Sequence, residues 1–333
     1  TLPVIGAQFS PDGNKILTFY WRDKNIKLWD VTNGNLLMSF DGQSDRLSNV
    51  QFNPDGSKIV TTPDDSNSKI FDASSGKLLA NFKGHTSGVL SAQFSPDGKK
   101  VVTASFDNTA KIWDAFSGNL LSDLKGQTYN VHSADFSTDG KKIFTVSSDK
   151  TVKVWDVLSG NILTNIKVHS PYVSSAQISP DGKKVITISN PESPKIWDAL
   201  MGTFLFDLKG HSNSVLFAAF SPDGSKIITT SHDYTAKIWD AATGILLIDI
   251  NKHPYLTSAQ FSPDGRKIVT WSEHPHHSDY DNDTNDSNNT AKIWDVSSGN
   301  LLADLKAPPI NYAQFSADGE KVVSVSWDKN NSV

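Results

Sequence analysis

Residues 84–125 read GHTSGVLSAQFSPDGKKVVTASFDNTAKIWDAFSGNLLSDLK. Val89 to Phe94 are rich in apolar residues and read as a first strand. Ser95-Pro96-Asp97-Gly98 then makes a tight turn, in which proline presets φ and glycine is free to take a positive one. Lys100 to Ser105 alternate polar and apolar, the pattern of a second strand. Phe106-Asp107-Asn108 turns again, and Thr109 to Asp114 are β-branched and aromatic enough for a third strand. Ser117-Gly118 supplies the last turn before a fourth strand, Asn119 to Leu124. Nothing in the stretch has a helical period, so it predicts a four-stranded antiparallel meander.

Working outward, the Phe-Ser-Pro-Asp-Gly string or a near variant begins at Phe9, Phe52, Phe94, Phe136, Ile178, Phe220, Phe261 and Phe315. Successive gaps are 43, 42, 42, 42, 42, 41 and 54 residues. A second marker, Trp-Asp, falls in phase at Trp29, Trp113, Trp155, Trp197, Trp239 and Trp294, with Phe71-Asp72 standing in once. The chain is therefore seven full units and most of an eighth. Four-stranded sheets repeated radially close into a propeller that leaves only short edges. The expected fold is all-β, a single β-propeller domain over residues 1–333 with eight repeats, the last incomplete. Seven blades are the alternative, because the eighth unit stops at Val333, before its Trp-Asp and fourth strand. No spare closing strand is visible, since Thr1 to Ser10 begin directly with a first strand.

Gly84-His85 with Trp113-Asp114, and Gly210-His211 with Trp239-Asp240, place Gly-His before the first strand and Trp-Asp at the end of the third. In this the units resemble WD-repeat (WD40) β-propellers, over essentially the whole chain. The resemblance implies a non-enzymatic scaffold or sensor module that holds protein partners, or other domains of its own chain, on a rigid ring.

Composition agrees with a globular protein: 37% hydrophobic and 20% charged among 333 residues. A formal charge of -5 has the wrong sign for a general nucleic-acid binder. With no cysteine, disulfides, thiolate metal sites and a cysteine nucleophile are excluded. No apolar run is long enough to span a membrane, and no signal peptide is visible, which fits a cytoplasmic protein. Opening at Thr1 and stopping mid-repeat, the sequence reads as part of a longer chain. It has no Gly-x-Ser-x-Gly, His-Glu-x-x-His or phosphate-loop motif, and no catalytic residue is expected.

Two constellations imitate a hydrolase: His85, Ser105 and Asp107, and their counterparts His211, Ser231 and Asp233. With Trp113 and Trp239, the resemblance instead implies hydrogen-bonded tetrads that tie inner strands to outer ones, since a buried polar network has to be satisfied throughout. Departures support the structural role. Gln127 replaces the histidine of unit four, Pro191 replaces the aspartate of unit five, and unit two has Gln43, Pro63 and Phe71. Unit one is read with Trp21 at the serine position. A catalytic device occurs once with support, whereas a staple can erode blade by blade, which predicts that units one, two and eight are the softest.

Function is then expected on surfaces that differ between blades. Turns holding Ser-Pro-Asp-Gly, and those after Trp-Asp, share one face and are nearly uniform. Loops on the opposite face vary, and they carry Arg22, Arg46, Phe106, Tyr129, Tyr172, His232, Tyr234, Tyr255 and Trp327 as candidate partner-binding residues. Arginine and aromatic residues are the usual anchors of protein interfaces.

Unit seven measures 33 residues from Phe261 to Trp294 against 19 in most others, an insertion that makes 273–289 a long loop on the variable face. Asp279, Asp281 and Asp283 repeat the one-three-five spacing of calcium loops, but Thr284 and Thr290 stand where glycine and glutamate belong. His274, His276 and His277 could instead hold a metal such as zinc, while the Asp-, Asn- and Ser-rich composition also suits a plain solvated insertion. No cofactor is expected beyond this calcium alternative.

Overall fold

Each repeat folds as a meander of four short strands, and in the third they run Val89–Phe94, Lys100–Ser105, Ala110–Asp114 and Leu120–Leu124. The computed structural model describes residues 4–20, 26–40, 47–63, 66–168, 173–251, 253, 256–272, 290–305 and 310–326. Strand pairing follows chain order, first to fourth, in seven four-stranded antiparallel sheets. The Ser-Pro-Asp-Gly turn forms as its residues require, with Gly98 at φ 68° and its N–H donating to the Ser95 carbonyl. In all seven blades the pairing of third and fourth strands slips just before the tryptophan, or before Phe71 in blade two. Such a bulge re-aims a side chain.

The sequence pattern predicts a half-buried second strand, and here the structure differs. From Val101 to Ser105 every residue is buried, including Thr103 and Ser105 at 0% exposure. Each sheet packs a neighbour on both faces, so no side of an inner strand meets water. Exposure grows toward the rim, where the fourth strands start with apolar pairs such as Leu120 and Leu121, about half exposed.

The core lies between blades. Val102, Ala104, Ile112 and Leu124 of blade three pack with Val131, Ala134, Phe136 and Trp155 of blade four, and equivalent clusters join every successive pair of repeats. Among the described residues the complete blades number seven, as in the alternative count. The eighth repeat supplies a two-stranded sheet, Ile310–Phe315 with Val322–Ser326. That sheet packs Ile310, Ala313 and Phe315 on blade seven, and Val325 on Val4, Ala7 and Tyr20 of blade one. The circle is thereby closed between first and last repeats.

Side-chain amides reinforce the joints. The N–H of Phe52 donates to Gln8 Oε1 at 3.0 Å, that of Phe136 to Gln93 Oε1 at 2.7 Å, and that of Phe315 to Gln260 Oε1 at 3.1 Å. Each amide stands on one first strand and holds the next repeat's first strand.

Candidate functional site

The imitation triads are assembled, but through a different hydroxyl. In blade three, Trp113 Nε1 donates to Thr103 Oγ1 at 2.8 Å, and Thr103 Oγ1 lies 2.7 Å from His85 Nε2. His85 Nδ1 is 2.8 Å from Asp107 Oδ2. An indole can only donate, so the threonine proton points to Nε2 and the imidazole carries its proton on Nδ1, toward the carboxylate. Blade six repeats the chain with Trp239, Thr229, His211 and Asp233 at 2.8, 2.7 and 2.9 Å. Ser105 and Ser231, expected in this chain, belong instead to the turn. Ser105 Oγ donates to the Gly88 carbonyl at 2.9 Å and accepts from Asp107 N–H at 3.1 Å, and Ser231 Oγ does the same with Asn213 and Asp233 at 3.0 and 3.1 Å.

Electrostatics fit a staple. Burial pushes His85 and His211 below the ordinary imidazole value despite their aspartates, so both are neutral near pH 7. Burial alone would raise Asp233, but hydrogen bonds from Thr235, Ser212 N–H and His211 together hold it down at about 2. The same opposition, with Thr109, Thr86 N–H and His85 as donors, lowers Asp107. Thr103, Ser105, Thr229 and Ser231 are all 0% exposed, and so none can meet a substrate. Gly84 belongs to the same device, since a Cβ there would stand 3.1 Å from Trp113 Cη2.

The threonine is the member that sequence reading missed. It recurs as the tryptophan's acceptor in Thr18, Thr145, Thr187 and Thr270, at 2.8 or 2.9 Å. Its signal was a threonine at the fourth position of second strands in repeat after repeat. In blade seven His253 Nδ1 bonds Thr270 Oγ1 and its Nε2 bonds the Thr290 carbonyl, at 2.8 and 2.9 Å, and burial drives its pKa down to about 4. In blade four both amide atoms of Gln127 are buried without a partner, so the replacement fills the histidine's place without its bonds. In blade one, pairing of Val4 with Tyr20, as Val89 pairs with Ser105, puts Tyr20 at the serine position; the reading of Trp21 there was one residue off.

On the variable face, Phe106 and Tyr129 sit on loops of adjacent blades, 47% and 63% exposed. His232 and Tyr234 share one exposed turn of blade six, two blades on. Tyr234 is 50% exposed and held at φ 64°, the position taken by Asn108 in blade three and Lys150 in blade four. Arg22, Arg46, Tyr172, Tyr255 and Trp327 lie outside the described residues, as do Asp279, Asp281, Asp283 and the rest of 273–289. Among the described residues no group of three or more histidine and carboxylate side chains could hold a metal.

The fold and its Trp-Thr-His-Asp staples define a class, the WD-repeat propellers. The sequence profile of the WD domain, G-beta repeat matches residues 1–30, 34–72, 76–114, 118–156 and 202–240, more than half the chain, and the chain belongs to this family. It is 36% identical over 58 residues to an uncharacterised WD repeat-containing protein of Synechocystis sp. (17% of each chain). It is 34% identical over 62 residues to nuclear distribution protein PAC1 of Arthroderma otae, 19% of this chain and 13% of that one. The chain thus spans less than a fifth of the curated relatives it matches. Among solved structures it is similar to the computationally designed Ika8 protein, with TM-score 0.82, 26% identity and coverage of 98% and 93% of the two chains. No helix among the described residues is long and apolar enough to cross a membrane.

Proposed function

We propose that this ring is a non-enzymatic scaffold or sensor module that docks protein partners, or other domains of its own chain, on the variable loop face. The observation that carries the reading is Tyr234, an exposed aromatic ring on a backbone at φ 64°. Bulky residues avoid that region at a cost of about 1–2 kcal/mol, and backbone held in such conformations by its surroundings clusters at binding loops. Phe106, Tyr129 and His232 add exposed anchors on the same face. A cytoplasmic setting is part of the proposal and rests on composition; fractionation of source cells tests it.

The experiment pairs the parent protein with a Tyr129→Ala, Tyr234→Ala variant as baits in source lysate, with mass spectrometry as readout and melting curves as the check on folding. A protein enriched on the parent and lost on the variant supports docking at this face. Identical recoveries on two folded baits overturn it.

A further inference from the structure

On the opposite face, the first strands of repeats eight, one, two, three and four end around a cavity of about 460 Å³, within the range of roughly 300–1,000 Å³ usual for ligand sites. Four glutamine amides stand in its wall: Gln8, Gln51, Gln93 and Gln314. Three have a fixed orientation. The oxygens of Gln8, Gln93 and Gln314 accept from the backbone N–H groups of Phe52, Phe136 and Phe9. A backbone N–H can only donate, so each amide spends its oxygen on the neighbouring repeat and has its NH₂ left for the cavity.

The other polar groups of the wall are largely engaged. Ser10 Oγ donates to Asp12 at 2.5 Å, and Asn53 Oδ1 accepts from Lys58 N–H at 2.8 Å. The remaining wall is mostly phenylalanine and turn proline, notably Pro11, Pro54 and Pro96, with Ala317 and Thr138, whose hydroxyl donates to the Pro180 carbonyl, and no lining residue carries a charge. An anion entering here would shed water without meeting a countercharge. The complementary ligand is neutral, rich in acceptors, poor in donors, and apolar along its sides.

We propose that this cavity binds an extended proline-rich peptide segment. A prolyl residue offers a carbonyl acceptor and no N–H. Polyproline chains are already extended, lose little entropy on docking, and are recognised in grooves lined by aromatic rings. Their carbonyls take the glutamine NH₂ groups, while pyrrolidine rings lie against the phenylalanine edges and turn prolines. The site lies on the face away from Phe106, Tyr129 and Tyr234 and does not depend on the docking proposed there.

Fluorescence anisotropy with labelled, end-blocked hexaproline tests this on the whole protein, with a blocked Gly-Ser hexapeptide as the control. Saturable binding of hexaproline, at least roughly 10-fold weaker for the control and insensitive to about 0.5 M salt, is the expected result. Gln51 Oε1 has no partner, so Gln51→Leu removes a donor without opening an inter-repeat bond; affinity should fall roughly 3- to 10-fold. Ala317→Trp fills the mouth from an exposed turn and should abolish binding, while Tyr129→Ala, Tyr234→Ala should leave it intact. No saturable binding by the parent, equal affinity for both peptides, or undiminished binding by a folded Ala317→Trp variant overturns the proposal.

Discussion

Gln314 Oε1 accepts the backbone N–H of Phe9 at 3.2 Å, a bond between residues 305 positions apart. It is the same latch that Gln8, Gln93 and Gln260 make to the repeat that follows each of them. At Gln314 the following repeat is the first one. The eighth repeat, of which two strands are described, is thereby held in the ring by the bond that joins its complete neighbours.

Gln314→Leu should lower stability by about 1–3 kcal/mol, because the Phe9 N–H is left without its acceptor. Gln93→Leu removes an equivalent bond in mid-chain and should cost a similar amount. Hydrogen exchange should distinguish them: the terminal variant should lose protection in repeats eight and one first. Uniform loss over the whole ring would contradict the terminal latch.

Thr103→Val keeps shape but removes the acceptor of the Trp113 indole and the donor to His85. With both partners buried, a loss of about 2–4 kcal/mol is expected from denaturant midpoints. Ser105→Ala touches only the turn and should cost less, about 1 kcal/mol. The reverse order would restore the serine to the chain.

His253 is buried neutral, its pKa lowered from 6.5 to about 4. The unfolded chain binds the proton first as pH falls. The contribution is therefore fully present above pH 6.5 and disappears as pH drops to about 4, up to about 3 kcal/mol in all. Melting curves across this window should show the acid loss in the parent and a smaller one in His253→Gln.

Asp135 has the opposite sign. It occupies the latch position of repeat four, and burial pushes its carboxyl up from 3.8 to about 6. The native state holds the proton more tightly, so this group destabilises the fold at neutral pH, and the penalty fades as pH falls from about 6 toward 3.8. Asp135→Gln should raise the melting temperature near neutral pH and change little near the lower limit. No gain at neutral pH would show that the carboxylate is accommodated.

Tyr234→Gly relieves a left-handed backbone and should leave stability unchanged or raise it by up to about 1 kcal/mol. The same change should weaken partner capture on the variable face. Loss of stability without loss of capture would assign the tyrosine to packing.

The sequence alone determined the repeat, the four-strand meander and the turn chemistry, because these depend on residues close together in the chain. Phe-Ser-Pro-Asp-Gly needs only its own φ preferences to turn, and Trp-Asp in phase with it counts the units. His85, Asp107 and Trp113 were legible as one network only through the resemblance to WD-repeat propellers, with the erosion from repeat to repeat supporting a structural role. Tertiary structure decided what depends on neighbouring repeats. Thr103 rather than Ser105 joins the histidine to the tryptophan, because only the folded sheet brings Thr103 Oγ1 within reach of both. The second strands are buried on both faces, because each sheet is enclosed by two others, while the paired Leu120 and Leu121 are left at the rim. Only the closed ring brings Gln314 to Phe9, since the geometry of successive packed sheets, not any local signal, returns the last repeat to the first.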